Sequence, residues 1–133
     1  MKKRKILVLL VLSVFIMPLS AQTFDKAFTE MKAAVAAGNY SRLSDLFSDT
    51  VDLTVRDTDG IFSKTQAKGV LKGFFEKNTP KSFQIKHQGS SNDGTVYAIG
   101  LYLSDKESFR VYVLFKEIGG SAKIIQLQIE EEI

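Results

Sequence analysis

The last third of the chain alternates apolar and polar residues with a period of two, and this pattern limits the fold more than any other feature. It runs through residues 95–103, 108–117 and 123–130. Such alternation is typical of half-buried β-strands. The links at 104–107 and 119–120 have the length of hairpin turns and are too short for parallel crossovers. We therefore predict strands that pair antiparallel with their neighbours.

Ahead of this region, apolar residues recur at a spacing of three and four, as on one face of an amphipathic helix. The first such stripe starts after Thr23 and stops at Gly38, and the Asn39 side chain can cap a second, shorter helix. Residues 63–66 form a capping-box pattern, and the helix that follows cannot pass Pro80. Three helices are predicted. Their apolar residues are Phe24, Ala27, Phe28, Met31, Ala34 and Val35, then Leu43, Leu46 and Phe47, then Ala67, Val70, Leu71, Phe74 and Phe75.

Two further segments have strand character. Residues 51–56 alternate, and residues 57–60 have turn composition before a short return strand. After the third helix, Phe83, Ile85 and His87 alternate in the same way. These patterns place strands on both sides of the third helix.

Alternation divides the predicted sheet into two faces. We expect the first to be the core that covers the helices. The second is too apolar to be merely solvated and too polar for a core, so we expect it to be an interface. The core face contains Ile99, Leu101, Leu103, Phe109, Val111, Val113, Phe115, Ile125, Leu127 and Ile129. The other contains Val96, Ala98, Tyr102, Arg110, Tyr112, Leu114, Ile124, Gln126 and Gln128.

The N-terminus has the layout of a signal peptide. A basic cluster at 2–5 precedes an apolar run at 6–17, and Pro18 is followed by the small residues Ser20 and Ala21. We expect cleavage after Ala21, which leaves residues 22–133 as a single α+β domain in the periplasm or outside the cell. An uncleaved anchor is the weaker alternative, because spanning a bilayer takes ~20 apolar residues.

Composition excludes several classes of function. Four of the 18 basic residues precede Ile6, so 14 basic and 15 acidic residues remain after cleavage. The remaining domain therefore has no excess positive charge with which to bind nucleic acid. With no cysteine, the chain has no disulfide, thiol catalyst or thiolate metal site. With His87 as the single histidine, we expect neither a metal site nor a cofactor.

The order of helices and strands resembles the nuclear transport factor 2-like superfamily, a cone-shaped, cystatin-like fold. The segments Tyr97-Ala98-Ile99-Gly100, 109–116 and 125–130 resemble a family of secreted bacterial domains of unknown function within it. The resemblance implies three N-terminal helices packed on a curved antiparallel sheet. It also implies a cavity between sheet and helices in many members, and frequent homodimers through the sheet. Function does not follow from such a fold.

Two sets of residues are candidates for a site. Arg110 and Tyr112, with Gln126 and Gln128 on the neighbouring strand, combine one cation with several hydrogen-bonding groups. They could receive a carboxylate or phosphate, or form the seam of a dimer. His87 is a weak candidate for a general base in a cavity. The plainer interpretation is a surface histidine held by a hydrogen bond, since no nucleophile or orienting acid is linked to it in sequence.

These observations favour a non-enzymatic secreted module that binds a small molecule or an envelope protein, as a homodimer. The competing hypothesis is a small cavity enzyme of the isomerase, dehydratase or hydrolase type with His87 as its base. A purely structural part of an envelope complex is a third hypothesis, and the sequence leaves all three open.

Overall fold

The computed structural model describes residues 19–132, with side chains from Thr23 onward, so most of the expected signal peptide lies outside the described residues. Three helices and a six-stranded sheet make up this part of the chain. In chain order the elements are α1 (Leu19–Ala37), α2 (Tyr40–Ser44), β1 (Phe47–Val55), β2 (Thr58–Ser63), α3 (Lys64–Lys77), β3 (Pro80–Ser90), β4 (Val96–Ser104), β5 (Ser108–Ile118) and β6 (Ser121–Glu131).

The sheet has the strand order β2-β1-β6-β5-β4-β3. Strands joined by short links pair antiparallel, as predicted, while β1 lies parallel to β6. β2 and β3, which α3 separates along the chain, lie at opposite edges of the sheet. The parallel pair is possible because α3 and four strands separate β1 from β6 along the chain, which is ample length for a crossover. The predicted α+β class, with helices packed on a curved sheet, is confirmed.

The predicted helix ends are largely confirmed. The Asn39 side chain accepts a hydrogen bond from the Arg42 amide at 3.0 Å and so caps α2. Ser63 and Gln66 form the reciprocal bonds of a capping box at the start of α3. The second helix is shorter than predicted, because Leu46 and Phe47 lie beyond its end, although both are buried.

The helices pack on one side of the sheet, which we call the inner face. The β5 residues predicted for the core are buried there, as are Leu127 and Ile129 of β6. Phe28 of α1 stacks on Phe115 with ring centroids 4.9 Å apart, and Phe74 of α3 meets Phe109 edge-on at 5.0 Å. Aromatic contacts between helix and sheet thus form the centre of the core.

The face predicted for β4 is wrong. Ala98 and Tyr102 are buried on the inner face, and Val96 packs against the core, whereas Ile99, Leu101 and Leu103 point to the opposite, outer face. The prediction placed the most hydrophobic residues of β4 in the core, but the largest aliphatic side chains of this strand lie on the outer face. The inner side is kept small at Gly100, where an added Cβ would lie 2.4 Å from the Phe83 ring.

Two β-bulges change the faces of β3 and β6. The register of β3 shifts between Ile85 and His87, so His87 pairs with Ile99 and points to the outer face. In β6 the shift makes Ile125 the extra residue. Ile124 is therefore buried inside and Ile125 lies outside, the reverse of the prediction.

Candidate functional site

The outer face carries large apolar side chains that no other element of residues 19–132 covers. They are half-buried by their neighbours in the sheet rather than by a helix. Tyr97 lies opposite Leu114, and Ile99 lies opposite Tyr112, so the set is continuous across β4 and β5. We call this set the outer apolar patch; its members are Tyr97, Ile99, Leu101, Leu103, Tyr112, Leu114 and Ile125.

All four residues predicted for a binding site or interface lie on this outer face. Tyr112 and Gln128 are direct partners across β5 and β6, and Gln126 is the partner of Leu114. Arg110 is exposed and lies opposite Glu130. The four residues therefore share one face of the sheet, next to the outer apolar patch.

A row of aromatic rings forms one end of the outer face. His87 Nε2 lies 2.8 Å from the Tyr97 hydroxyl, and the Tyr97 and Tyr112 rings are nearly parallel with centroids 6.4 Å apart. A Cβ on Gly89 would lie 2.8 Å from the Tyr97 hydroxyl oxygen, so glycine makes room for this ring. Sequence reasoning missed Tyr97. The signal that could have found it is a glycine on the neighbouring strand facing an aromatic residue.

The side chain of His87 is exposed on the side of the sheet away from the helices. Its position does not meet the expectation that it faces a cavity between sheet and helices. The bulge at Lys86 is the physical reason, because one extra residue in a strand reverses the side on which the following side chains emerge.

The space between α3 and the sheet is filled by aromatic residues. Phe74 and Phe75 of α3 pack against Tyr102, whose hydroxyl donates a hydrogen bond to the Asn78 backbone carbonyl. Burial raises the pKa of Tyr102 above its ordinary value, with a smaller contribution from Asp105. A neutral, hydrogen-bonded phenol in the core stabilises the packing of α3.

An open cleft of about 390 Å³ lies between α1 and the ends of β3 and β4. Phe24, Phe28 and Val96 supply its apolar surface. Lys32 and Asp25 stand at its rim, and both side chains are exposed. The volume falls in the range of small-molecule sites, roughly 300–1,000 Å³.

Residues 19–132 contain no group of three or more His, Cys, Asp or Glu side chains placed to hold a metal ion. No helix within the same range is long and apolar enough to cross a membrane.

The architecture defines the class of protein as an α+β domain of the nuclear transport factor 2-like type. A putative dehydratase of the NTF2-like family from Streptomyces avermitilis has a similar structure, with a TM-score of 0.59 and 10% sequence identity over 84% of this chain and 95% of that one. At this identity the likeness concerns the fold alone.

Within this class, the chain belongs to the family described as a domain of unknown function, DUF4783, whose model matches residues 28–130. A DUF4783 family protein from Bacteroides uniformis has a TM-score of 0.74 and 27% identity, over 79% of this chain and 96% of that one. One from Bacteroides ovatus has a TM-score of 0.73 and 26% identity, over 78% and 94%. A comparison with curated proteins gives no match.

Proposed function

We propose that this domain is a non-enzymatic module that binds protein through its outer sheet face, and that it binds a second copy of itself there. The observation that carries the proposal is the outer apolar patch. A continuous apolar surface rimmed by polar groups is typical of protein interaction sites. Here Arg110, Gln126 and Gln128 border the patch on the same face.

The residue types support this assignment. Tyrosine and arginine are the residues on which binding energy often concentrates at the centre of an interface, and Tyr112 and Arg110 lie at alternate positions of one strand. A sheet that faces water on one side usually carries polar residues there. The outer face instead carries three apolar residues of one strand, Ile99, Leu101 and Leu103.

The alternative binding partner that we propose is a small molecule. The cleft beside α1 has apolar walls at Phe24 and Phe28 and a cation, Lys32, at its rim. Arg110 on the outer face could also receive an anionic ligand, and the Arg110→Ala variant distinguishes an anion site from a dimer seam. Arg110→Ala should abolish binding of inorganic phosphate or acetate with self-association intact if Arg110 is an anion site. It should weaken self-association if Arg110 belongs to a dimer seam.

The cavity enzyme with His87 as its base has less support from the geometry. A general base must lie within hydrogen-bonding reach of a bound substrate, in a site that excludes water. His87 is exposed on the face away from the helices, and its ring forms a hydrogen bond with the Tyr97 hydroxyl. The inner side, where such a cavity would lie, is occupied by Phe74, Phe75 and Tyr102.

The proposal includes export from the cytoplasm. The basic cluster and short apolar run of residues 1–17 support a signal peptide, with cleavage after Ala21. The partner would then be a second copy, or an envelope protein, encountered in the periplasm or outside the cell. Mass spectrometry of the exported protein should find Gln22 as its first residue.

Self-association tests the proposed function. Light scattering across a concentration series should give a mass that rises from one chain to two. Leu114→Glu places a charge within the outer apolar patch and should keep the protein monomeric. Ala36→Glu adds the same charge on an exposed position of α1 and should leave the dimer unchanged. If Leu114→Glu dimerises as well as Ala36→Glu does, the outer face is not the binding surface.

A further inference from the structure

The edge strand β2 has backbone groups that point away from the sheet. In an antiparallel pair, residues that bond to the neighbouring strand alternate with residues that do not. The two-residue turn at 56–57 places Thr58, Gly60 and Phe62 in the set that bonds to β1. The N–H and C=O groups of Asp59 and Ile61 therefore point outward, where a further strand could pair with them.

This edge is exposed and short. β2 is the last strand on its side of the sheet, and the Ile61 side chain is 70% exposed, more than any other large apolar residue in the described part of the chain. The next outward N–H belongs to Ser63, and it already donates to the Gln66 side chain at 3.2 Å. The free edge therefore consists of Asp59 and Ile61.

The edge strand on the opposite side of the sheet, β3, is protected against an added strand. Pro80 has no N–H, and the bulge at Lys86 interrupts the regular spacing of backbone groups. Lys81 and Lys86 also place charges at exposed positions of this strand, as protected edges often do. β2 contains no proline, lysine or bulge. Of the two edges, β2 is therefore the one open to pairing.

The surroundings of the free edge are acidic. Asp59 is on β2, Asp52 of β1 faces the same side of the sheet, and Asp57 is in the adjoining turn. The ion pairs within residues 19–132 both involve Arg56, whose partners are glutamates of other elements. Lys64 lies beyond the far end of β2, where α3 begins. The charge at this edge therefore complements a basic partner.

We infer that β2 binds an extended segment of a partner protein as an added strand, with a basic residue of that segment beside Asp59 and an apolar residue beside Ile61. In this mode of recognition, main-chain hydrogen bonds provide affinity and alternate side chains provide specificity. The Thr54 hydroxyl donates a 2.8 Å hydrogen bond to Asp59 and so holds its carboxylate on the same side as Ile61. The partner is therefore recognised by a basic and an apolar residue two positions apart.

The same charges disfavour pairing of β2 with β2 of a second copy. Such pairing would bring the acidic groups of both copies together, and like charges on neighbouring strands are destabilising. The edge is also separate from the outer apolar patch, because β1 lies between β2 and the strands that carry the patch. Binding at β2 thus does not depend on the self-association proposed above.

Amide hydrogen exchange, followed by NMR, tests the added strand on the wild-type protein. The probe is the peptide Lys-Thr-Val-Thr-Lys with blocked ends, which has a basic residue two positions from an apolar one in either direction. Saturating peptide should slow exchange of the Asp59 and Ile61 amides roughly tenfold or more, while those of Gly60 and Phe62 are protected already. A failure to bind, or binding that leaves Asp59 and Ile61 unprotected, would overturn the inference.

Charge variants test the choice of partner. Asp59→Lys should weaken binding of the lysine peptide roughly tenfold and allow binding of Glu-Thr-Val-Thr-Glu, which the wild type should reject. Glu76→Lys makes the same change of charge at an exposed position of α3 and should change neither affinity. A wild type that binds both peptides equally would show that the aspartates do not select the partner.

Two variants at Ile61 separate the backbone from the side chain. Ile61→Pro removes an outward N–H and should weaken binding more than Ile61→Ala, which keeps it. Thermal unfolding shows whether each variant remains folded. Equal losses in two folded variants would mean that no strand is added. Leu114→Glu should leave peptide binding unchanged, so this inference and the proposed self-association can fail separately.

Discussion

His87 Nε2 and the Tyr97 hydroxyl lie 2.8 Å apart, and this hydrogen bond joins β3 to β4 on the outer face. The pair is exposed, so water can replace either partner. The His87–Tyr97 hydrogen bond is thus a surface contact at the border of the proposed interface. It also places the chain's single histidine away from the helix-covered side of the sheet.

The His87→Ala variant should therefore remain folded. We expect the free energy of unfolding to fall by no more than about 1 kcal/mol, the usual contribution of an exposed hydrogen bond. Urea denaturation measures this, with Tyr97→Phe as the matched control that keeps the ring and removes the same bond. A loss several times larger for either variant would mean that the pair has a structural role beyond one surface contact.

Close packing at Gly100 should make it intolerant of a side chain. An added Cβ would lie 2.4 Å from the Phe83 ring and 2.9 Å from the Gln84 carbonyl oxygen. Gly100→Ala should cost about 1–3 kcal/mol of stability, as overpacking does. Gly69→Ala is the control, because nothing lies within 4 Å of a Cβ there and alanine favours a helix interior by about 1 kcal/mol. Denaturant unfolding should show opposite signs, and equal signs would contradict this account of the packing.

Asp93 should make the turn before β4 sensitive to acid. Its carboxylate accepts hydrogen bonds from the Thr95 hydroxyl at 2.7 Å and the Thr95 amide at 3.1 Å, which lower the pKa of Asp93. A lowered pKa in the folded state means that this stabilisation is complete above the ordinary aspartate pKa of about 3.9 and is lost as the pH falls through the lower value.

The Asp93→Asn variant isolates this effect. It keeps an acceptor oxygen but does not titrate, so it should lose less stability than the wild type between about pH 6 and about pH 2. Thermal unfolding across that range provides the measurement. Parallel curves for the two proteins would show that folding does not lower the pKa of Asp93.

The backbone of Arg56 is strained. It has a φ of 55° in the turn between β1 and β2, where a residue with a Cβ is disfavoured. Its guanidinium pairs with Glu131, lies 3.6 Å from Glu107, and stands over the Phe109 ring. Arg56→Ala and Arg56→Gly lose the same contacts, but only glycine relieves the backbone. The glycine variant should be the more stable by about 1 kcal/mol in denaturant unfolding. Equal stabilities would show that the turn is not strained.

Several elements could be predicted because a single local rule decides them. Asn39 and Ser63 cap helices through hydrogen bonds to residues three positions away, and Pro80 cannot continue a helix. The face of β5 followed from its strict alternation around Phe109 and Val113, which no bulge interrupts. Arg110, Tyr112, Gln126 and Gln128 were therefore placed together correctly.

The faces of β4 and part of β6 could not be predicted, because both sides of these strands are apolar. In β4 the small residues Ala98 and Gly100 face the core, and the Phe83 ring fills the space beside Gly100. The bulge that places Ile125 on the outer face depends on the pairing of β6 with β5. The local sequence gives no indication of it. The outer apolar patch became visible only when the register was known.

The reactivity of a thiol placed in the outer apolar patch tests the proposed self-association most directly. The chain has no cysteine, so Leu114→Cys and the exposed control Ala36→Cys each introduce one thiol. We predict that the labelling rate of Leu114→Cys by a water-soluble thiol reagent falls as protein concentration rises, while that of Ala36→Cys stays constant. A Leu114→Cys rate that does not change with concentration would contradict self-association through this face.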